Sequence, residues 1–560
     1  MDSAAPFPLP PLRAPLPVRE VEVCTQLLAD GTRLDADVYR PDAPGDYPML
    51  LQRQAYGRRI GCTLCYAHPA WYAAQGYVVV VQDVRGRGSS TGVFHPGLHE
   101  AADGAAAVEW AARLPGANGR VGSFGFSYQA YNQLLAATGN CPSLVAMVPA
   151  MGPWDAARHW MFENGALRLK QAVGWGVQIT AEGARRVGDA AAYAELAAAG
   201  LPVEGPVSAR PDVLMRHAGL SHFAEWIGRG ADDPAWAAIS PAAQAQALAA
   251  RALPTLLIGG WFDTHLASTL AAARALAGPA TRLLVGPWAH FPWGRKTGQI
   301  DFGPAAALDT DRLQIAWFNR WLKEEDNGID ALPPLRLFDM GQPAGQTRWR
   351  DFATMPPATV PLFTSGDGHA AIRPEAGQLQ PQPPAPMAER LVHDPWRPAP
   401  AVGGSHGTPP GPVDRAGVES RGDVLTFTSP AADKAWLLAG EIAAALTLGA
   451  DQPGFDVACT LSRVDGQGRS FQLAAGYMRV PAGAGLREIR LPLGATCATL
   501  QAGEALRLSI AGAAFPAFPV NPGSGADPAA TPRAEARIIT LTLHCGGAAP
   551  SLLLLPETAA

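Results

Sequence analysis

The sequence predicts an α/β protein: a doubly wound, mainly parallel sheet with an inserted helical cap, followed by a C-terminal all-β jelly-roll domain. Three observations predict it. Gly76–Asp83 is an unbroken run carrying four valines, the pattern of a strand buried on both faces of a parallel sheet. Short apolar runs alternate with helix-spaced stretches on either side of residues 154–250, as repeated strand–helix units do. Those residues and the last third of the chain break that rhythm, each in a different way.

In order along the chain, Glu20–Val23 and Leu34–Val38 alternate polar with apolar residues around Asp30-Gly31, which reads as a hairpin. Met49–Leu51 is a strand running into the loop Gln54-Ala55-Tyr56-Gly57. Glu100–Arg113 has helical spacing through Ala101, Ala105, Val108 and Ala112. Val121–Phe124 is a strand, and Thr255–Ile258 and Arg282–Val285 are two more, each followed by glycine. Residues 154–250 are Ala-rich and helical without a convincing strand, which suits a cap. Beyond about 350, Pro-rich linkers precede alternating strands such as Val424–Phe427, Phe455–Cys459 and Ile538–Leu543. The expected division is 1–153 and 251–350 for the α/β domain, 154–250 for the cap and 351–560 for the β domain.

Composition narrows the function. The chain has 560 residues, 48% hydrophobic and 17% charged, enough for two or three cored domains. A net charge of -5 with no basic block argues against nucleic acid as a partner. The Pro-rich stretch Met1–Arg19 lacks the basic and apolar regions of a signal peptide, and no run of 18 apolar residues occurs, so no membrane association is expected. Seven scattered cysteines fit free thiols in a reducing compartment, and a cytoplasmic location is expected. Cys62-x-x-Cys65 with His68 has no second ligand pair at metal spacing, so a structural role is expected and no metal. No cofactor is expected either: Asp83-x-Arg85-Gly86-x-Gly88 has its next glycine at Gly92, one place late for a dinucleotide loop. It reads as a structural loop, with Arg85 in an ion pair. No sequence feature sets an oligomeric state.

The chemistry centres on Gly125-Phe126-Ser127-Tyr128, between a strand and a helix-forming stretch. A serine is thrust out of so sharp a turn only when its neighbours are small. The second glycine usual in such an elbow is replaced by Gln129, with small Ala130 one place on. An activated serine needs a base, and the base needs an orienting group. In the α/β-hydrolase layout these follow in chain order Ser, Asp, His, on loops after sheet strands. Asp263 follows the Thr255 strand through Gly259-Gly260-Trp261-Phe262, and His290 follows the Arg282 strand through Gly286-Pro287-Trp288-Ala289.

With these segments the chain resembles the cocaine esterase and X-Pro dipeptidyl-peptidase family of α/β-hydrolase serine hydrolases, which includes the α-amino acid ester hydrolases. Gln54–Gly57, Asp83–Gly92, Arg421–Leu425 and Phe515–Pro522 extend the resemblance over nearly the whole chain. It implies Ser127 as nucleophile, His290 as general base and acid, and Asp263 as the orienting acid. It also implies an oxyanion hole from the Tyr56 hydroxyl and the Tyr128 backbone N–H. The family's proline before the oxyanion tyrosine is Ala55 here, and its tryptophan before the Val121 strand is absent.

The resemblance further implies a small-molecule ester or amide substrate. Where α-amino acid ester hydrolases carry part of an acidic cluster, this chain has Thr264, His265 and Leu266, which argues against a free α-amino substrate. X-Pro dipeptidyl-peptidases of the family have additional N-terminal structure. An esterase is therefore expected, with an amidase, acylase or X-Pro dipeptidyl-peptidase as the alternative. Eight of the 15 tryptophans lie between residues 151 and 300, and several are candidates to line an apolar acyl pocket. A different class of reading, a vestigial hydrolase whose β domain binds carbohydrate or a partner, is disfavoured by the intact Ser127, Asp263 and His290. Tryptophan, the usual sugar-stacking residue, is also scarce in that domain, which is expected instead to cover the hydrolase domain and shape the pocket mouth.

Overall fold

A computed structural model describes residues 9–199, 211–341, 348–481, 483, 485–528 and 531–557; the first eight residues of the Pro-rich N-terminal stretch lie outside it. Ten strands form the main sheet: β1 (Glu22–Leu27), β2 (Arg33–Tyr39), β3 (Tyr47–Gln54), β4 (Val78–Asp83), β5 (Ala117–Phe126), β6 (Leu144–Ala150), β7 (Thr255–Phe262), β8 (Thr281–Ala289), β9 (Leu335–Phe338) and β10 (Trp349–Phe352). Their spatial order is β1-β2-β4-β3-β5-β6-β7-β8-β9-β10. From β4 through β9 every neighbouring pair is parallel. The hairpin β1–β2 and the edge strand β10 are antiparallel additions.

The valine run behaves as a strand inside two layers must. Successive residues point to opposite faces, so Val78 and Val80 enter one core cluster while Val79 and Val81 enter another. The first cluster packs the sheet against helix α1 (Glu100–Ala111) through Ala105 and Val108, and against α2 (Tyr128–Ala136) through Leu134. The second packs the other face against the helix Thr310–Leu322 through Leu313, Trp317 and Phe318.

Two sequence expectations shift. The strand expected to stop at Ile258 continues through both glycines to Phe262, with every residue buried. Gly260 allows it, since a Cβ there would lie 2.4 Å from the Trp288 carbonyl of β8. Residues 154–250 are mostly helical, with a long helix α3 (Leu169–Val187) ended by Gly188 in the left-handed region. They also contain a two-residue hairpin, Phe162–Glu163 with Ala166–Leu167, too short to leave a periodic signal.

The C-terminal part is all β, an eleven-stranded antiparallel-dominated assembly whose longest partners are Trp436–Ala450 and Arg487–Leu500. It is fastened to the edge of the main sheet at Asp339. That carboxylate accepts from the Thr499 N–H at 2.7 Å and the Thr499 hydroxyl at 2.6 Å.

Candidate active site

The turn after β5 places Ser127 at φ 59° and ψ -117°, a backbone conformation that non-glycine residues rarely adopt. Gly125 makes the turn possible: a Cβ there would lie 2.3 Å from Cβ of Gln129. Gln129, which stands where a glycine was expected, holds the elbow by hydrogen bonds. Its Oε1 accepts from the Phe126 N–H at 3.1 Å, and its Nε2 donates to Gln54 Oε1 at 2.9 Å. The Ser127 turn is thereby tied to the end of β3, where the Tyr56 loop begins.

Asp263 is the first residue after β7 and His290 the first after β8, so adjacent parallel strands deliver both to the same edge of the sheet. Ser127 Oγ lies 3.0 Å from His290 Nε2, and His290 Nδ1 lies 2.6 Å from Asp263 Oδ1. Asp263 is buried, whereas the His290 side chain keeps 30% of its surface accessible. The imidazole sits between the Phe126 ring, 4.7 Å away, and the His265 ring, 5.3 Å away. Burial pushes the His265 ring well below the usual histidine range, so it stays neutral beside His290.

Tyr56 and Tyr128 reach the site in different ways. The Tyr56 hydroxyl accepts from Trp175 Nε1 at 3.1 Å, which orients its oxygen and leaves its proton free to donate. Tyr128 opens α2, where first-turn N–H groups have no intrahelical acceptor. Its side chain turns away: the hydroxyl donates to Glu100 at 3.0 Å and accepts from the Gly97 N–H at 3.2 Å. Glu100 in turn pairs with buried Arg53.

Ser127, His290, Tyr56 and Tyr128 line one cavity of about 850 Å³. Of the tryptophans in the central region, Trp160 and Trp175 face it. Trp154, Trp226, Trp236, Trp261 and Trp288 are buried packing residues instead, at most 4% exposed. Trp261 donates to the Phe338 carbonyl and Trp288 to the Ala306 carbonyl, both at 2.8 Å. Ile60, Leu64 and Phe291 form an apolar rim with 63–81% of their surface exposed.

Two walls of the cavity were read from the sequence only in part: Trp175 was a candidate lining residue and the β domain was expected at the pocket mouth, but the residues beside them were missed. One is the α3 face Gln171, Gly174, Trp175 and Gln178, spaced i, i+3, i+4, i+7; that spacing was readable, but its polar members masked it as an ordinary solvated face. The other is the loop around Ser405–Pro410, contributed by the β domain and far away in the chain. Lys170 holds this loop, donating to the His406 carbonyl at 3.2 Å, the Gly407 carbonyl at 2.7 Å and the Thr408 hydroxyl. Arg168 joins the 154–250 region to the loop after β7 by donating to the Thr264 carbonyl at 2.8 Å.

Cys62 and Cys65 are free thiols that burial raises to about 11 and about 12 respectively, so both are protonated at neutral pH. Cys65 supplies its carbonyl to Trp293 Nε1 at 2.9 Å. Arg85 is in ion pairs, with Asp103 through Nε and Nη2 at 2.8 Å each and with Asp30 through Nη1 at 2.6 Å.

Comparison with known proteins gives the same region a history. A family model described as X-Pro dipeptidyl-peptidase (S15 family) matches residues 30–292, and one described as the X-Pro dipeptidyl-peptidase C-terminal non-catalytic domain matches residues 327–554. The chain is 28% identical over 565 residues to a cocaine esterase from Rhodococcus sp. (strain MB1 Bresler), covering 94% of this chain and 97% of that one. Among solved structures it resembles an aminopeptidase from a marine sediment Thaumarchaeota archaeon, with TM-score 0.78, 20% identity and 99% of both chains covered. An α-amino acid ester hydrolase aligns with TM-score 0.77 at 18% identity, covering 99% of this chain and 98% of that chain.

Proposed function

Because the chain belongs to the cocaine esterase and X-Pro dipeptidyl-peptidase family of serine hydrolases, we propose that it cleaves carboxylic esters through a covalent acyl-enzyme on Ser127. The observation that carries this reading is the hydrogen-bonded series Ser127–His290–Asp263, at 3.0 and 2.6 Å, opening into a large cavity. Ser127 Oγ attacks the ester carbonyl as its proton passes to His290 Nε2. Asp263 accepts from Nδ1–H, which keeps Nε2 as the basic nitrogen and stabilises the imidazolium that forms. The carbonyl oxygen becomes an oxyanion between the Tyr56 hydroxyl and the Tyr128 N–H, donors fixed in place before the reaction. Collapse expels the alcohol, which takes its proton from His290. A water activated by the same ring then releases the acid and restores Ser127.

The cavity supports an ester over a peptide with a free N-terminus. An ammonium needs a carboxylate partner when it leaves water, and among the described residues no Asp or Glu lines the cavity. Trp160, Trp175, Phe262 and Phe126 offer apolar surface for an acyl group. The test is hydrolysis of p-nitrophenyl butyrate beside an X-Pro p-nitroanilide, with Ser127→Ala as control. Ester turnover that Ser127→Ala abolishes supports the reading; turnover of the anilide alone replaces it with a peptidase.

A further inference from the structure

The charge around the cavity is one-sided. Two lysines line it, Lys170 and Lys296. Three carboxylates behind the lining are engaged by other side chains: Glu163 by Arg168 at 2.9 Å and His406 at 3.4 Å, Asp263 by His290 at 2.6 Å, and Asp301 by Arg295 at 2.8 Å. Asp301 lies opposite Lys296 across the short hairpin Lys296–Thr297 with Ile300–Asp301, and Arg295 holds that carboxylate at 2.8 Å. Lys170 bonds only neutral oxygens, which satisfy its hydrogens without cancelling its charge. It also stands in the first turn of α3, a helix of 19 residues with no acid in that turn. There the positive end of the helix dipole adds to the ammonium. Gln171, Gln178, Thr264, Thr297, His265, Ser405 and His406 add polar surface without an acid, and burial lowers His265 and His406. A partly enclosed cleft lined by one sign of charge concentrates ligands of the opposite sign.

From this we infer that the substrate carries an anionic group, a carboxylate or similar oxyanion, away from its scissile carbonyl, and that Lys296 together with the Lys170 end of α3 selects it. The inference rests on the ester-hydrolase reading and names its substrate class. Lys296 is the discriminating position, because it is exposed on the cavity lining and no ion pair forms on it among the described residues. Lys170 also holds the Ser405–Pro410 loop, so a substitution there would alter shape as well as charge.

The experiment compares two matched pairs of esters. In the acyl arm, mono-4-nitrophenyl adipate is set against 4-nitrophenyl hexanoate; in the alcohol arm, 4-acetoxybenzoate is set against its methyl ester. At low ionic strength, kcat/KM for the anionic member exceeds that of its neutral partner on the order of tenfold in one arm, and the ratio shrinks in 0.5 M salt. The arm that responds tells which end of the substrate faces Lys296. Lys296→Glu lowers the ratio about tenfold and Lys296→Arg keeps it. Equal rates for charged and neutral esters in both arms, or a ratio that Lys296→Glu leaves unmoved, overturn the inference while the ester reading stands. Absence of turnover on every ester overturns the ester reading, and the inference falls with it.

Discussion

At Ser127 the backbone is bent to φ 59°, and three neighbours make that bend tenable. Gly125 removes the Cβ that would strike Gln129, Ala130 keeps the turn narrow, and Gln129 bonds back to the Phe126 N–H. Gly125→Ala is therefore expected to misplace the Ser127 hydroxyl and lower turnover at least tenfold, read as kcat on p-nitrophenyl butyrate; unchanged kcat would mean the turn has room the geometry denies it. Tyr56 permits a sharper prediction. If its hydroxyl stabilises the oxyanion, Tyr56→Phe lowers kcat about 10²–10³-fold with little change in KM, because the interaction strengthens only as charge develops. A rise in KM alone would make Tyr56 a binding residue. The same Phe substitution at Tyr128 leaves the backbone N–H in place and acts only through the lost Glu100 and Gly97 bonds, which bear on folding.

Among the elements, the strands that deliver the site residues were the most legible. Their apolar runs are continuous because both faces are covered, so Val78–Val81, Thr255–Ile258 and Arg282–Val285 could be read without knowing their neighbours. Asp263 and His290 were visible because each lies a few residues past such an apolar run, where loops at the ends of parallel strands begin. Less was readable where the determining contact is remote. That β7 runs to Phe262 depends on the closeness of Trp288 in the next strand. That Gln129 can stand in for glycine depends on Gln54, 75 residues earlier. The Ser405 loop enters the cavity wall through packing between segments far apart in the chain, which leaves no local pattern, and the α3 face is masked by its glutamines. The Asp83–Gly92 loop was read as structural with Arg85 ion-paired, and the partners that brace it appear only in three dimensions. Buried Arg58 pairs with Asp37 at 2.7 Å and with Asp83 at 2.5 Å. Burial raises the Asp83 carboxyl against the downward pull of Arg58. Removing one member of such a buried set strands the others. Arg58→Met is expected to cost about 3–5 kcal/mol, measured by urea unfolding; a loss under 1 kcal/mol would mean water replaces the guanidinium.

For the whole molecule, buried histidines and a buried carboxylate couple stability to pH. Burial lowers His159 to about 4, and it also lowers His222, His265 and His393. In the unfolded chain these rings protonate near pH 6.5. As pH falls from about 7 towards 4, the unfolded chain therefore binds more protons than the fold, and stability drops. Glu163 acts in the same direction: although burial raises it, Arg168 and His406 bring it down to about 2, so its contribution is lost as pH falls below about 4.5. Thermal unfolding followed from pH 8 to pH 5 should show a falling Tm, less steep in His159→Gln; a Tm that rises on acidification would contradict the buried neutral state of these rings. The Lys170 contacts predict that Lys170→Met loosens the Ser405–Pro410 loop and raises KM more than it lowers kcat.

All of this depends on one hydroxyl in the molecule being made nucleophilic by the imidazole it touches. A fluorophosphonate probe followed by peptide mass spectrometry measures that directly, in the native chain and in His290→Ala. The account predicts a single stoichiometric adduct on Ser127, formed with loss of ester turnover and absent or slowed by orders of magnitude in His290→Ala. An adduct on a different serine, or equally fast labelling of Ser127 without His290, would contradict it.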